Sequence, residues 1–217
     1  MRNIDLSLYL VTDREMLTGF SLTELVEESV HNGVTVVQLR EKKASTREFL
    51  QLAIDMKKVL DPLNIPLIIN DRVDVALAAD ASGVHLGQND MPVSIARKLL
   101  GKDKVIGLSV ETEADLESLN ALKPDYLGIS PIFSTPTKTD TVREWGLEGL
   151  KSVSQRVDYP LVAIGGIKIE NARSMIEHGA DGIAVVSAIC ASENPGEAAA
   201  KLSRQINVVK EADPLKK

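Results

Sequence analysis

The sequence predicts an α/β fold, a single-domain (β/α)8 or TIM barrel, on three observations: eight short apolar runs, stretches of helical period between them, and 217 residues to hold all eight units. That allows about 27 residues per unit, close to the economical limit for a closed barrel. The strand-like runs are Leu8 to Thr12, Val34 to Leu39, Pro66 to Ile69, Gly83 to Leu86, Val105 to Leu108, Tyr126 to Ile129 and Leu161 to Ile164. The eighth is Ile183 to Val186, within an apolar run that extends from Gly182 to Ile189. Alternation alone does not say whether the sheet closes, so an open doubly wound sheet is the rival. In either fold, function sits at the carboxyl ends of the strands.

The helices mark their own starts. Ser21 with Glu24, Ser45 with Glu48 and Thr112 with Asp115 have the spacing at which a hydroxyl and a carboxylate satisfy the first-turn amides. Phe49, Ala53, Met56 and Leu60 fall on one face of the second helix, and Ala198, Leu202, Ile206 and Val209 on one face of the last. Both read as helices packed on a sheet. No Pro/Ser-rich linker interrupts the series, so residues 1–217 are expected to form one domain, with 211–217 a frayed tail.

Composition narrows the partners. A hydrophobic content of 44%, a charged content of 26% and a net charge of -6 describe a globular domain that attracts neither nucleic acid nor an anionic membrane surface. The single Cys190 excludes an internal disulfide, and no run of Cys and His has zinc-site spacing. With no signal core at the N-terminus and no apolar run of membrane-spanning length, the expectation is a cytoplasmic enzyme acting on small molecules. A homo-oligomer is compatible with the sequence, which does not set the oligomeric state.

Polar residues gather where the apolar runs stop. The third run ends on Asn70-Asp71-Arg72, and Asp90 follows the fourth after a few residues. Two carboxylates leaving neighbouring strands on one side suit Mg²⁺, which keeps several waters and bridges one or two carboxylates to a substrate's phosphates. Asn-Asp is also ordinary turn chemistry, which is the plain alternative. After the second run come Gln38-Leu39-Arg40-Glu41-Lys42-Lys43, in which Gln38 and Arg40 share a face and Arg40 and Lys42 offer phosphate contacts. A solvated turn paired with Glu41 is the alternative, and it suits Lys43 best. Ser109 reaches the rim of the fifth strand as a hydrogen-bonding hydroxyl, since no His-Asp pair is placed to activate it.

His31 and His178 sit at helix ends, where capping explains them. His85, inside a strand, reads as a satisfied core histidine. The loop Ser130 to Asp140 carries hydroxyls and Lys138 beside stiff prolines, the composition of an anion-binding lid; a disordered loop is the alternative. Gly165-Gly166 after the seventh strand and the start of the turn after the eighth occupy the positions where such barrels often bind phosphate. Cys190 reads as a small buried hydrophobe.

Gln38-Leu39-Arg40-Glu41-Lys42, Asn70-Asp71-Arg72, Gly83 to Gln88 with Asp90, Gly128 to Lys138, Gly165-Gly166-Ile167 and Gly182 to Ile189 together resemble thiamin phosphate synthase, in unbroken order over roughly residues 8 to 190. The resemblance implies a TIM barrel that joins hydroxymethylpyrimidine pyrophosphate to thiazole phosphate and releases pyrophosphate, with CO₂ as well when the thiazole is carboxylated. It implies Asp71 and Asp90 as Mg²⁺ ligands. The segment Gln38, Leu39, Arg40, Glu41, Lys42, with Asn70, Ser109 and Lys138, would meet the pyrimidine pyrophosphate, and Arg40, Lys42, Ser109 and Lys138 would act in catalysis. Thr135, Pro136 and Thr137 would contact the thiazole phosphate, resting on Gly166, Val186 and Ser187. One departure stands out: many relatives have His where this chain has Glu111.

Departure of pyrophosphate from a benzylic-type carbon needs its charge neutralised, and the thiazole nitrogen needs no strong base, so the implied route is dissociative, through a pyrimidine cation. Tautomerase relatives share the barrel but tend to lose the metal carboxylates and the loop lysine, so Asp71, Asp90 and Lys138 favour the synthase. A sugar-phosphate isomerase or a non-catalytic binder of thiamin precursors are the remaining readings.

Overall fold

The computed structural model describes residues 4–134 and 144–212. Eight parallel strands close into a barrel in chain order: β1 (Leu8–Val11), β2 (Val36–Leu39), β3 (Leu67–Asn70), β4 (Gly83–Leu86), β5 (Val105–Val110), β6 (Tyr126–Ile129), β7 (Leu161–Ile164) and β8 (Gly182–Val185). Closure comes from β1 pairing with β8, where Leu8, Tyr9 and Leu10 lie beside Ile183, Ala184 and Val185. The open-sheet rival is thereby removed.

Outside the barrel lie α1 (Leu22–His31), α2 (Thr46–Leu60), α3 (Val73–Ala78), α4 (Val93–Leu100), α5 (Glu113–Leu122), α6 (Gly146–Ser154), α7 (Ile169–Glu177), the single turn α8 (Ser187–Cys190) and α9 (Pro195–Ala212). The eighth strand stops at Val185, one residue short of the expected Val186, and the rest of the apolar run to Ile189 enters the α8 turn. That run is apolar because strand and turn are both buried, and burial of both kinds leaves no period to tell them apart. The first two residues of the expected tail, Glu211 and Ala212, complete α9; residues 213–217 lie outside the described residues.

Two apolar layers hold the fold. One fills the space between sheet and helices and contains Phe49, Ala53, Met56 and Leu60 of α2 with Ala198, Leu202 and Ile206 of α9. The other lies inside the barrel, where Val36, Ile68, Val105, Val162 and Ala184 surround Tyr9 and Tyr126. Strand side chains alternate between the two, so strands buried on both faces lose the alternation in hydrophobicity.

Capping follows the predicted spacing with one exception. Ser21 with Glu24 and Thr112 with Asp115 form reciprocal boxes. At α2 only Ser45 takes part, accepting from the Glu48 amide, because the Glu48 carboxylate pairs with Arg14 at 2.9 Å. His31 and His178 each place Nδ1 against a carbonyl one turn back, Glu27 and Ser174, as their positions at helix ends imply.

A repeated device ties the barrel's lower rim. The residue just before every even strand accepts an amide at the start of the preceding odd strand: Thr35 from Leu8 at 3.1 Å, Ser82 from Leu67 at 3.2 Å, Asp125 from Ile106 at 2.7 Å and Asp181 from Leu161 at 2.7 Å. Four βαβα pairs therefore share one fastening. Replacing Asp181 with Ala leaves the Leu161 amide without its acceptor and is expected to cost about 1–3 kcal/mol in urea unfolding. An unchanged midpoint would show that solvent replaces the carboxylate there.

Candidate active site

The carboxyl ends of β2, β3 and β4 bring the expected charged residues together. Lys42, past the end of β2, places its ammonium 2.6 Å from Asp71 Oδ2. Asp71 follows β3 in a tight turn: its φ is +62°, and the Arg72 amide donates to the Asn70 carbonyl at 2.7 Å across it. A three-residue turn with positive φ is rare and strained, a geometry that persists where surrounding structure enforces it. The enforcement is visible, since the Asp71 amide donates to the His85 carbonyl of β4 at 2.9 Å. Arg72 turns away, its guanidinium binding Asp74 and Thr46 on the outside.

Asp90 lies in the turn after β4 and accepts the Gly87 amide at 2.7 Å. Burial, and then the neighbouring Asp71 carboxylate, raise the Asp90 carboxyl above its ordinary range, against the opposing pull of the Gly87 amide and Lys42. Two crowded carboxylates repel, and a divalent cation between them relieves that repulsion. Among the described residues no cluster of three or more His, Cys, Asp or Glu side chains is poised for a metal. Two carboxylates with open positions for water and phosphate oxygens match the habits of Mg²⁺ better than those of zinc.

Inside the barrel a line of polar groups runs beneath this rim. Gln38 Nε2 donates to Tyr9 Oη at 2.9 Å, Tyr9 Oη lies 2.8 Å from Tyr126 Oη, Tyr126 Oη lies 2.9 Å from His85 Nδ1, and His85 Nε2 lies 3.0 Å from Ser109 Oγ. Burial raises both tyrosine pKa values, so the hydroxyls stay neutral. Gly107 and Gly128 make the room. A Cβ on Gly107 would lie 2.1 Å from the Tyr126 ring and 2.5 Å from His85 Nδ1, and one on Gly128 would lie 3.1 Å from His85 Cε1. His85 is satisfied as expected, and the expected site residue Ser109 is among its partners together with Tyr126.

Asn70 ends β3 8% exposed, and its Nδ2 has no partner among the described residues. An orphaned buried donor is costly unless a ligand takes it up, which fits the substrate contact expected of Asn70.

The remaining expected residues divide. Arg40 stands at the end of β2, its amide on Thr12 and its guanidinium 3.8 Å from Asp13. Leu39 is fully buried between sheet and helices, which leaves only its backbone for a ligand. Glu41 is held by Arg14 through two bonds of 2.7 Å. Gly166, with φ of +65°, packs so closely that a Cβ would lie 2.7 Å from that of Phe133. Val186 precedes the exposed Ser187 at the start of α8. Thr135, Pro136, Thr137 and Lys138 lie outside the described residues. Cys190 is buried, its thiol pushed up to about 11 by desolvation, as a small hydrophobe should be.

The family model described as "Thiamine monophosphate synthase" matches residues 8–189, from the first strand into α8. This chain belongs to the thiamine monophosphate synthase family. It is 55% identical over 204 residues to the thiamine-phosphate synthase of Albidiferax ferrireducens, covering 94% of this chain and 93% of that one. The thiamine-phosphate synthase of Leptospira biflexa is 51% identical over 209 residues, 94% of this chain and all of its own. Among solved structures, the thiamine phosphate pyrophosphorylase from Pyrococcus furiosus superposes with a TM-score of 0.86 at 37% identity, covering 94% and 97% of the two chains. A 3-hexulose-6-phosphate synthase matches at a TM-score of 0.68 and 17% identity, over 92% of this chain and 99% of its own, which speaks to the barrel alone.

Within a thiamine monophosphate synthase barrel, the Asp71, Asp90 and Lys42 cluster occupies the functional end. Tyr9 and Tyr126 are polar neighbours of the candidate site that motif reading passed over, and His85 was read there only as a core histidine. Two glycines facing the barrel interior, Gly107 and Gly128, were the available signal. Among the described residues no helix is long and apolar enough to cross a membrane.

Proposed function

We propose that this chain is a thiamine-phosphate synthase, a transferase that joins hydroxymethylpyrimidine pyrophosphate to thiazole phosphate and releases pyrophosphate. When the thiazole is carboxylated, CO₂ leaves as well. The observation that carries the reading is the convergence of Lys42, Asp71 and Asp90 at neighbouring strand ends, in a chain of this family. A tautomerase on the same barrel has no need of paired carboxylates beside phosphate donors.

Asp71 and Asp90 would hold Mg²⁺, which when bound neutralises charge on the departing pyrophosphate. Lys42 and Arg40 bind the pyrophosphate oxygens, and Lys138 is assigned the same role. The Asn70 amide, buried and unspent, donates to the same substrate. Ser109 holds a pyrophosphate oxygen through its hydroxyl. Such fixed donors stabilise charge where it develops and need no rearrangement as the bond breaks. The carbon–oxygen bond breaks first, leaving the ring as a stabilised cation, and the thiazole nitrogen donates its lone pair to the exocyclic carbon. Gly166, Val186 and Ser187, with Thr135 to Thr137, seat the thiazole phosphate. A cytoplasmic setting, where Cys190 stays reduced, completes the reading.

Incubation with both substrates and Mg²⁺ is expected to yield thiamin phosphate by chromatography. Rearrangement of a thiazole phosphate with no coupled product would favour a tautomerase, and saturable binding without turnover would favour a binding protein.

A further inference from the structure

The line from Gln38 to Ser109 has a direction. Tyr9 Oη accepts from Gln38 Nε2, so its own proton has one partner among the described residues, Tyr126 Oη. Reversing that bond would leave a fully buried hydroxyl proton without an acceptor, at a cost of about 1–3 kcal/mol. Tyr126, having accepted, must donate to His85 Nδ1. The neutral imidazole then carries its proton on Nε2 and gives it to Ser109 Oγ. Ser109 is left with its own proton to offer at the mouth, while Gln38 keeps Oε1 as an acceptor. Turning the Gln38 amide over would reverse every bond and exchange both roles. The two ends are therefore always opposite in kind.

We propose that Tyr9, Tyr126 and His85 are positioning residues forming a one-way relay that makes Gln38 an acceptor and Ser109 a donor toward the same ligand. The ligand class that fits is a heteroaromatic amine bearing a phosphoryl group: the ring amino group donates to Gln38 Oε1, and an anionic oxygen accepts from Ser109. This identification of the ligand rests on the synthase reading; the relay itself rests only on the barrel interior. The tightness of the packing supports the assignment. Gly107 and Gly128 leave space for the Tyr126–His85 pair, whose ring centroids are 5.5 Å apart, and Tyr9 lies 6.0 Å from Tyr126.

The chain has three histidines, so ¹⁵N-histidine labelling of the intact protein, with His85→Asn to assign the signal, reads the tautomer of His85 directly. The expected spectrum at pH 8 shows the Nε2–H tautomer, with Nδ1 as an acceptor. The Nδ1–H tautomer would mean the chain runs the other way and would overturn the assignment of Gln38 as acceptor and Ser109 as donor, and an even mixture of the two would overturn the relay itself, whether or not the protein makes thiamin phosphate. In Tyr126→Phe, with circular dichroism unchanged, the tautomers should mix and kcat should fall about tenfold, the worth of one such hydrogen bond. A Phe variant that keeps both the tautomer and kcat would reduce Tyr126 to a space-filling role and overturn the proposal. If that variant does not fold, the wild-type spectrum still decides. A correct tautomer with no coupled product would instead sink the synthase reading and leave the relay standing.

Discussion

Replacing Asp71 with Ala is expected to slow turnover by roughly a hundredfold to a thousandfold while the protein still folds. The carboxylate is one of two beside Lys42, and on the proposed reading losing a preorganised group at the leaving pyrophosphate costs about 3–4 kcal/mol of transition-state stabilisation. Folding should survive because Asp71 is only partly buried, and its amide bond to the His85 carbonyl does not involve the side chain. The substitution also releases Lys42 from its 2.6 Å partner, so the KM for the pyrophosphate substrate should change far less than kcat. Steady-state kinetics across a Mg²⁺ titration measure both. Turnover within a few fold of wild type would show that Asp71 serves the turn and not the chemistry.

The second large effect is expected at a residue with no functional group. Gly107→Ala would put a methyl 2.1 Å from the Tyr126 ring and 2.4 Å from its hydroxyl oxygen, with His85 Nδ1 at 2.5 Å. Neither neighbour is the free end of a flexible side chain, since both rings are hydrogen-bonded on two sides. Overpacking of this kind costs about 1–3 kcal/mol, and relief would come by displacing the rings that hold Ser109. Chemical denaturation should therefore show lost stability, and the fraction still folded should show lost turnover. A variant equal to wild type in both would mean that the interior has slack that the packing does not show.

These two residues mark how far sequence carried the argument. Asp71, Asp90, Lys42 and Gln38 stand out in the sequence as candidates because a carboxylate or an ammonium within a few residues of the end of an apolar run, or an amide inside one, has little to do with packing. The closed barrel was legible as eight runs in an economical length. Tyr9 and Tyr126 were not, because every residue of β1 and β6 is buried and a tyrosine there looks like any large apolar side chain. His85 was placed correctly as satisfied, but only the fold reveals that it is satisfied by Ser109. The need for glycine at 107 exists only across strands, where a ring from β6 and one from β4 occupy the space. The same limit explains α8, where burial erased the change from strand to helix, and Glu48, whose carboxylate is drawn to Arg14 on a distant segment.

The most direct measurement is pyrophosphate release from the wild-type protein with each substrate alone and with both, with Mg²⁺ and with chelator. The account predicts coupled turnover only with Mg²⁺ and both substrates, one thiamin phosphate appearing for each pyrophosphate. Undiminished coupled release in excess chelator would contradict the assignment of Asp71 and Asp90, and no release under any condition would contradict the synthase itself.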